Sequence, residues 1–423
     1  MLSRFRVQGF KSLHDVEMEL APLVVLMGPN ATGKSNLLEA LLLLSRLATE
    51  QTLAAAFEPP LRGYPLEDFG LPEGGLEKML QQDSSELTLE AEVQPARAFK
   101  SSKRTAEPVR YRATIRIQPK TGLLEVADEF LVRLKRDGSY KQKPRIERSG
   151  DFLVVRQLGE AGAPRREPLG LNHTLVSNRR FTGEHRYPDF DRLRTELSAW
   201  QTYYLDPRIG MREPQPPREV TDIGPRGELI APFLYRLKSS EAHRKYFRSI
   251  GRALRAAIPA IEDLDVELDP RRGTLDIVIR QDGTPYSSRI VSEGTLRVLA
   301  LCCLAANPWP GELIAFEEPE NGVHPRRIEV IADLLGSMAD QGHSQVVVTT
   351  HSPTLIAAMY RRAQEVPGKI KIFRCAQHGR ATEVSLLEPP ALLWQDSEIR
   401  NALTGSEDAG LMEAMLLRGW LDG

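Results

Sequence analysis

Apolar positions follow two regimes along this 423-residue chain. The middle alternates apolar with polar residues, while the start and the last third carry short unbroken apolar runs between helical patterns. Residues 2–9 and 15–27 read as strands, and Leu23–Met27 has the continuous apolar character of a strand buried on both faces. Asn36–Leu44 is a strong helix former, and the helix is expected to reach about Leu47. Residues 49–82 contain Pro59-Pro60, Pro65, Pro72 and Gly74-Gly75 and read as an irregular stretch. Alternating runs at Leu87–Val93, Val109–Ile117, Gly122–Leu134 and Phe152–Leu158 predict an antiparallel meander. A helix over Phe190–Ala199, a strand Thr202–Leu205, a proline-rich loop Pro207–Pro225 and helices over 226–238 and 241–257 follow. Residues 263–268 and 274–280 read as a hairpin. From Ser292 the order becomes helix (294–306), strand (Leu313–Phe316), helix (Pro325–Met338), strand (Gln345–Thr349), helix (Pro353–Tyr360) and strand (Lys369–Phe373). That alternation predicts an α/β layer with a mostly parallel central sheet and flanking helices.

Composition changes this picture little. Hydrophobic content of 41% and charged content of 27% suit a globular chain, and a net charge of −1 gives no global field toward polyanions. No apolar run reaches membrane-spanning length, and Met1–Arg6 lead into a strand rather than an apolar leader segment, so neither membrane contact nor a signal peptide is expected. The three cysteines, Cys302, Cys303 and Cys375, contain no CxxC pair. Neither a disulfide framework nor a zinc site is indicated, and a cytoplasmic setting is expected.

Chemistry enters at Gly28-Pro29-Asn30-Ala31-Thr32-Gly33-Lys34-Ser35, a complete G-x-x-x-x-G-K-S loop between a predicted strand and a predicted helix. Its glycines let backbone N–H groups cradle phosphate oxygens, and the helix N-terminus adds its positive dipole end. Lys34 would reach the β- and γ-phosphates, and the Ser35 hydroxyl would ligate Mg²⁺. Downstream, Leu313–Phe316 ends in Glu317-Glu318-Pro319-Glu320. Paired carboxylates at such a strand end face the crevice where open α/β sheets bind ligands, one acid on the metal side and one positioned to polarise water. Val346–Thr349 ends in Thr350-His351-Ser352, which brings His351 to the same edge. Ser292-Glu293-Gly294-Thr295 opens a helix and taken alone reads as an N-cap. Lys34 and Glu317 stand 283 residues apart. The expected organisation is therefore a split core, 1–48 with 287–390, an inserted lobe over 49–286 and a C-terminal helical tail over 391–423.

Gly28–Ser35 with Asn36-Leu37-Leu38-Glu39-Ala40, Ser292–Thr295, Glu317–Pro325 and Thr350–Pro353 together resemble the ATP-binding-cassette-type ATPase heads. Within these the chain is most similar to the RecF-like, AAA-labelled stand-alone ATPases, relatives of the SMC heads and of the ATPase half of the overcoming-lysogenization-defect nucleases. Gly9-Phe10-Lys11-Ser12-Leu13 resembles the family's first strand and turn. The resemblance covers residues 1–48 and 287–375 well and the middle only loosely. It implies ATP and Mg²⁺ as ligands, with ATP contacts at Gly28, Asn30, Gly33, Lys34, Ser35 and Asn36. It implies Ser35 and Glu317 on the metal, Glu318 as base, His351 as switch histidine, and catalytic help from Lys34. Ser292 and Gly294 would be signature residues touching ATP held by a second copy, with Glu320-Asn321-Gly322 at that interface, so a homodimer on ATP binding is expected. The metal-side acid is Glu317 where Asp is commoner in the wider class, and Gln201 is the weak candidate for the glutamine loop. The implied function is a Mg-dependent ATP hydrolase acting in DNA metabolism or genome defence. The alternative is an ATP-gated module controlling a separately encoded effector.

One local feature stands outside these motifs. Between Arg97 and Arg148, Lys and Arg outnumber Asp and Glu by nine. Such a segment is a candidate DNA contact, or equally the solvated outer face of a sheet or a surface for an acidic partner.

Overall fold

The computed structural model describes residues 1–94, 107–158, 164–340 and 344–387. The chain packs as two compact units. The first holds residues 1–21, 29–200 and 375–385; the second holds 22–28 and 201–374, with 386–387 of the described residues. The tail expected over 391–423 and the cations Arg97, Lys100, Lys103 and Arg104 lie outside the described residues.

The chain opens with β1 (Leu2–Phe10) and β2 (Leu13–Glu19), an antiparallel hairpin. The expected strand 15–27 is two strands: the ladder ends where Leu20 N–H reaches Ser3 O, and Pro22 has no N–H to continue it. β3 (Leu23–Met27) then starts in a different sheet, buried at every residue. α1 (Lys34–Thr49) follows the glycine loop. The stretch read as irregular contains α2 (Leu53–Ala56), capped by Thr52 Oγ1 accepting from Ala55 N–H, and α3 (Gly75–Gln81) after a left-handed Gly74. The helices are too short for periodicity to reveal them.

In the first unit β4 (Ser85–Val93), β5 (Val109–Gln118), β6 (Leu123–Arg133), β7 (Ile146–Ser149), β8 (Phe152–Val155) and β9 (Arg165–Pro168) complete an eight-stranded sheet ordered β2-β1-β4-β5-β6-β7-β8-β9. All pairings recorded in it are antiparallel. β4 buries Leu87, Leu89, Ala91 and Val93, and β5 buries Tyr111, Ala113, Ile115 and Ile117. Their other faces carry a ladder of opposite charges in register: Glu86 opposite Arg116, Glu90 opposite Arg112, Glu92 opposite Arg110. α4 (Pro188–Ser198) packs along α1, where Ser45 Oγ donates to Leu197 O at 2.6 Å.

The second unit begins again at β10 (Trp200–Tyr203) and continues through α5 (Ile230–Ser239), α6 (Arg244–Ala257) and an antiparallel sheet of β11 (Ile261–Asp269), β12 (Thr274–Gln281) and β13 (Thr284–Ser287). Then α7 (Glu293–Ala305), β14 (Leu313–Glu317), α8 (Ile328–Asp340), β15 (Gln345–Thr350), α9 (Pro353–Glu365) and β16 (Ile370–His378) alternate. Its sheet is ordered β10-β14-β15-β3-β16, with β14, β15, β3 and β16 parallel. β16 hairpins into β17 (Ala381–Leu386). Val346, Val348, Val25, Leu23 and Ile314 are buried in one core with the apolar faces of α7, α8 and α9. Cys302 and Cys303 lie in that core; all three cysteines are buried free thiols, and burial pushes Cys302 and Cys375 up to about 12. Among the described residues no helix is long and apolar enough to cross a membrane.

Candidate functional site

The glycine loop owes its shape to left-handed residues. Ala31 has φ 67° and Gly33 φ 88°. Left-handed residues so close together turn successive N–H groups toward one side, the geometry that binds anions. Gly33 is the N-cap of α1, and no side chain caps that end. A residue other than glycine has no room at position 33: a Cβ would lie 2.0 Å from Thr382 Oγ1 and 2.8 Å from Ser12 Oγ. Those two hydroxyls are bonded at 2.7 Å, and Asn36 Nδ2 donates to Ser12 Oγ at 2.8 Å. Asn36 is thus held by the first-strand turn. Lys34 is 5% exposed, and its Nζ donates to Pro29 O at 2.7 Å, folded back over the loop. Asn30 is exposed at the loop tip. Beside Ser12 lies a cavity of about 530 Å³ whose wall includes Lys11, Arg62 and Arg380 together with Glu67 and Leu71. Its walls come from segments far apart in the chain, so no local motif marks it.

In the second unit, register fixes a common edge. Glu317 pairs with Thr349, Thr349 with Leu26, and Thr350 with Met27. The strand-end acids, the Thr350-His351 corner and Gly28, where the chain leaves β3, therefore stand at one end of the sheet. Glu318 has φ 46°, a conformation a non-glycine residue adopts only under constraint. Its N–H donates to Thr349 O at 3.1 Å and to Thr349 Oγ1 at 3.2 Å, which pins the turn to β15. The Glu318 carboxylate is held from both sides: His351 Nδ1 is 2.8 Å from Oε1, and Asn321 Nδ2 donates to Oε2 at 2.6 Å. With Nδ1 engaged there, Nε2 of His351 is the ring nitrogen left for a second bond, and the ring is 44% exposed. Glu317 is half-buried. Glu320 is 5% exposed and accepts from Thr350 Oγ1; burial raises its carboxyl above the usual range, and its Oε2 is buried without a hydrogen-bond partner. The expectation of Glu320 on an outer interface meets a buried side chain, whereas Gly322 is exposed.

Ser292 is the N-cap of α7, accepting from Thr295 N–H at 3.2 Å, and it is exposed. Gly294 is pressed against the acid turn: a Cβ there would lie 2.5 Å from Gly322 O. Arg297, one turn further on, is half-buried, and that burial lowers its guanidinium pKa while the charges of Glu293, Asp206, Glu320 and Glu318 oppose the shift.

The basic segment looks different once folded. Arg110 pairs with Glu92 at 2.6 Å, Arg112 with Asp128 at 2.8 Å, and Arg116 with Glu86 at 2.7 Å and Glu125 at 3.1 Å. Arg133 and Arg145 share Asp189, which is 2% exposed, at 2.6 and 3.1 Å. Lys141 pairs with Glu107. Most of the neutralising acids come from strands or helices outside the counted segment or from across the ladder. Gln201 lies in β10, where its Oε1 accepts from Tyr203 Oη at 2.7 Å.

Among the described residues no cluster of His, Cys, Asp or Glu forms a metal cage. Ser35 and Glu317 offer a hydroxyl and a carboxylate, hard oxygen donors of the kind Mg²⁺ takes when substrate phosphates and waters supply the remaining ligands.

A family model described as "AAA domain, putative AbiEii toxin, Type IV TA system" matches residues 23–357. No curated protein gives a significant match. Among solved structures the chain is similar to an Smc head bound to the C-winged helix domain of ScpA, with 14% identity, 92% of this chain and 98% of that chain covered, and a TM-score of 0.53. It is similar to an Smc head with an extended coiled coil bound to the C-terminal domain of ScpA from Pyrococcus furiosus (13%, 94% and 99%, 0.53). A third likeness is the Smc head with a coiled coil and joint from Pyrococcus yayanosii (11%, 92% and 97%, 0.52). At these identities the likeness is one of fold, and that fold is the P-loop NTPase head of ATP-binding-cassette type.

Proposed function

We propose that this chain, which belongs to the AAA-domain family described as putative AbiEii toxin of type IV toxin–antitoxin systems, is a Mg-dependent ATP hydrolase that dimerises around ATP and acts as a motor or switch in DNA metabolism or genome defence. The observation that carries the reading is the Glu318 carboxylate, held by His351 and Asn321 at the sheet edge where Gly28 leaves β3. A carboxylate fixed at both oxygens presents a defined lone pair to an attacking water and takes its proton without first reorienting. Lys34 would turn from Pro29 O to the β- and γ-phosphates, which bind its ammonium more strongly than a carbonyl does. His351 Nε2 would meet the γ-phosphate or the water. Ser35 and Glu317 would hold Mg²⁺. When bound, that ion would supply positive charge that offsets charge developing on the phosphates.

Dimerisation is supported by the exposed Ser292 at the open end of α7, whose dipole favours a phosphate brought by a second copy. The test is light scattering of Glu318→Gln with and without ATP. ATP should double the mass, and adding Ser292→Arg should abolish the doubling while leaving nucleotide binding intact. A mass that stays monomeric with ATP would remove the ATP-bound dimer.

A second reading is favoured by the family description, which names a toxin system, and by the solved Smc heads seated on domains of ScpA. Here the chain would be an ATP-gated module holding a separately encoded effector. A stable protein partner whose release tracks hydrolysis would favour it.

A further inference from the structure

α6 reads Arg244-Lys245-Tyr246-Phe247-Arg248-Ser249-Ile250-Gly251-Arg252-Ala253-Leu254-Arg255-Ala256-Ala257, five cations and no carboxylate. Arg244, Arg248, Arg252 and Arg255 fall at steps of four, four and three residues, so they share one face of the helix, with Lys245 beside them. Arg244, Lys245, Arg248 and Arg252 are exposed. Arg255 lies 3.8 Å from Asp263, and among the described residues no other ion pair reaches this row. The contrast with the strand arginines is complete: there each guanidinium has a carboxylate within about 3 Å, whereas here the charge stays open.

The opposite face is used up. Ile250, Gly251, Leu254 and Ala257 are buried, and α6 packs on α5, α7 and β11. A basic amphipathic helix binds membranes by sinking its apolar face into lipid, and this one has no apolar face to give. Tyr246 and Phe247 are half-buried, so no exposed aromatic ring offers a platform for unstacked bases. What remains is a straight cationic edge from Arg244 to Arg255, about 16 Å long at the helical rise, which is the axial rise of about five base pairs.

We infer that the outer face of α6 is a binding surface for the phosphate backbone of duplex DNA. This rests on the nucleic-acid branch of the function proposed above and not on the phosphate loop, and it moves the DNA contact away from residues 97–148. Because contacts go to phosphates, binding is independent of sequence and steeply salt-dependent. α6 packs directly on α7, the helix that Ser292 opens, so DNA on one side and the signature residues on the other share one rigid neighbour.

The test uses the full chain and a labelled 30-base-pair duplex, with log Kd followed against log salt from about 50 to 200 mM. The variant is Lys245→Gln/Arg248→Gln/Arg252→Gln, whose three side chains are exposed and carry no recorded ion pair. Wild type should bind, and the variant should lose about three phosphate contacts, flattening the slope by about 2.7. Its circular dichroism and basal ATP hydrolysis should match wild type. A control triple, Lys120→Gln/Lys135→Gln/Lys143→Gln, should leave the slope unchanged. Four outcomes would overturn the inference: no retention of duplex by wild type at about 50 mM salt; an unchanged slope in the α6 variant; equal loss in the control triple; or equal competition by polyglutamate, which would mark a site for an acidic protein. Loss of hydrolysis in Glu318→Gln bears on the ATPase reading alone, so the two can fail separately.

Discussion

Asn321 and His351 grip opposite oxygens of Glu318, and each grip can be removed alone. Asn321→Ala should leave ATP binding near wild type and slow turnover by roughly tenfold, because a freely rotating carboxylate loses positioning rather than basicity. A turnover equal to wild type would mean that His351 alone fixes the group. Gly33 offers a test of the loop. In Gly33→Ala the new methyl meets Thr382 Oγ1 while the backbone keeps a φ of 88°, so thermal unfolding should show a loss of roughly 1–3 kcal/mol and ATP binding should fail. The positions of Glu317, Glu318 and His351 at one edge were legible in the sequence, since each ends an apolar run. Asn321 as a partner of Glu318 was not. It depends on the left-handed turn at Glu318, which no residue-type preference announces.

The eight-stranded sheet shows why counting charges along a segment misleads. Period-two alternation made its long strands visible in sequence, but the acids that neutralise Arg110, Arg112 and Arg116 stand on neighbouring strands and appear only with the register. The short strands β7, β9 and β13 hold four residues each and give too little pattern to read. Two predictions belong to this element. Asp189 on α4 holds Arg133 and Arg145, so Asp189→Ala leaves the buried Arg145 without its carboxylate and Arg133 with only the more distant Glu107, and should cost about 3–5 kcal/mol in urea unfolding. Glu129 on β6 is fully buried and accepts from Leu175 N–H at 2.6 Å, Val176 N–H at 3.0 Å and Tyr111 Oη at 3.0 Å. Burial raises its carboxyl from 4.5 to about 7. The native state therefore holds this proton in a range where the unfolded chain has lost it. Stability should fall as pH rises from about 4.5 to about 7 and level off above. Glu129→Gln should flatten the melting profile in that window; an unchanged profile would place the pH dependence elsewhere.

Across the whole molecule, the parallel sheet was the most legible part, because β14 and β15 are short apolar strands between helix-forming segments and β3 is an apolar strand that runs through the glycine loop into a helix former. The family match and the similar solved heads agree with that reading of the fold. Less legible was the separation of the chain into its units: residues 22–28 belong with the second although both their neighbours in sequence belong with the first. Strand pairing decides this, and only a register, not a local pattern, reveals it. The function proposed above makes Glu318 the base of ATP hydrolysis. Its most direct test is steady-state phosphate release by wild type and Glu318→Gln, with ATP binding measured on the same samples. Equal binding with turnover lowered by roughly a hundredfold or more is the predicted result; a Glu318→Gln protein that hydrolyses ATP at the wild-type rate would contradict it.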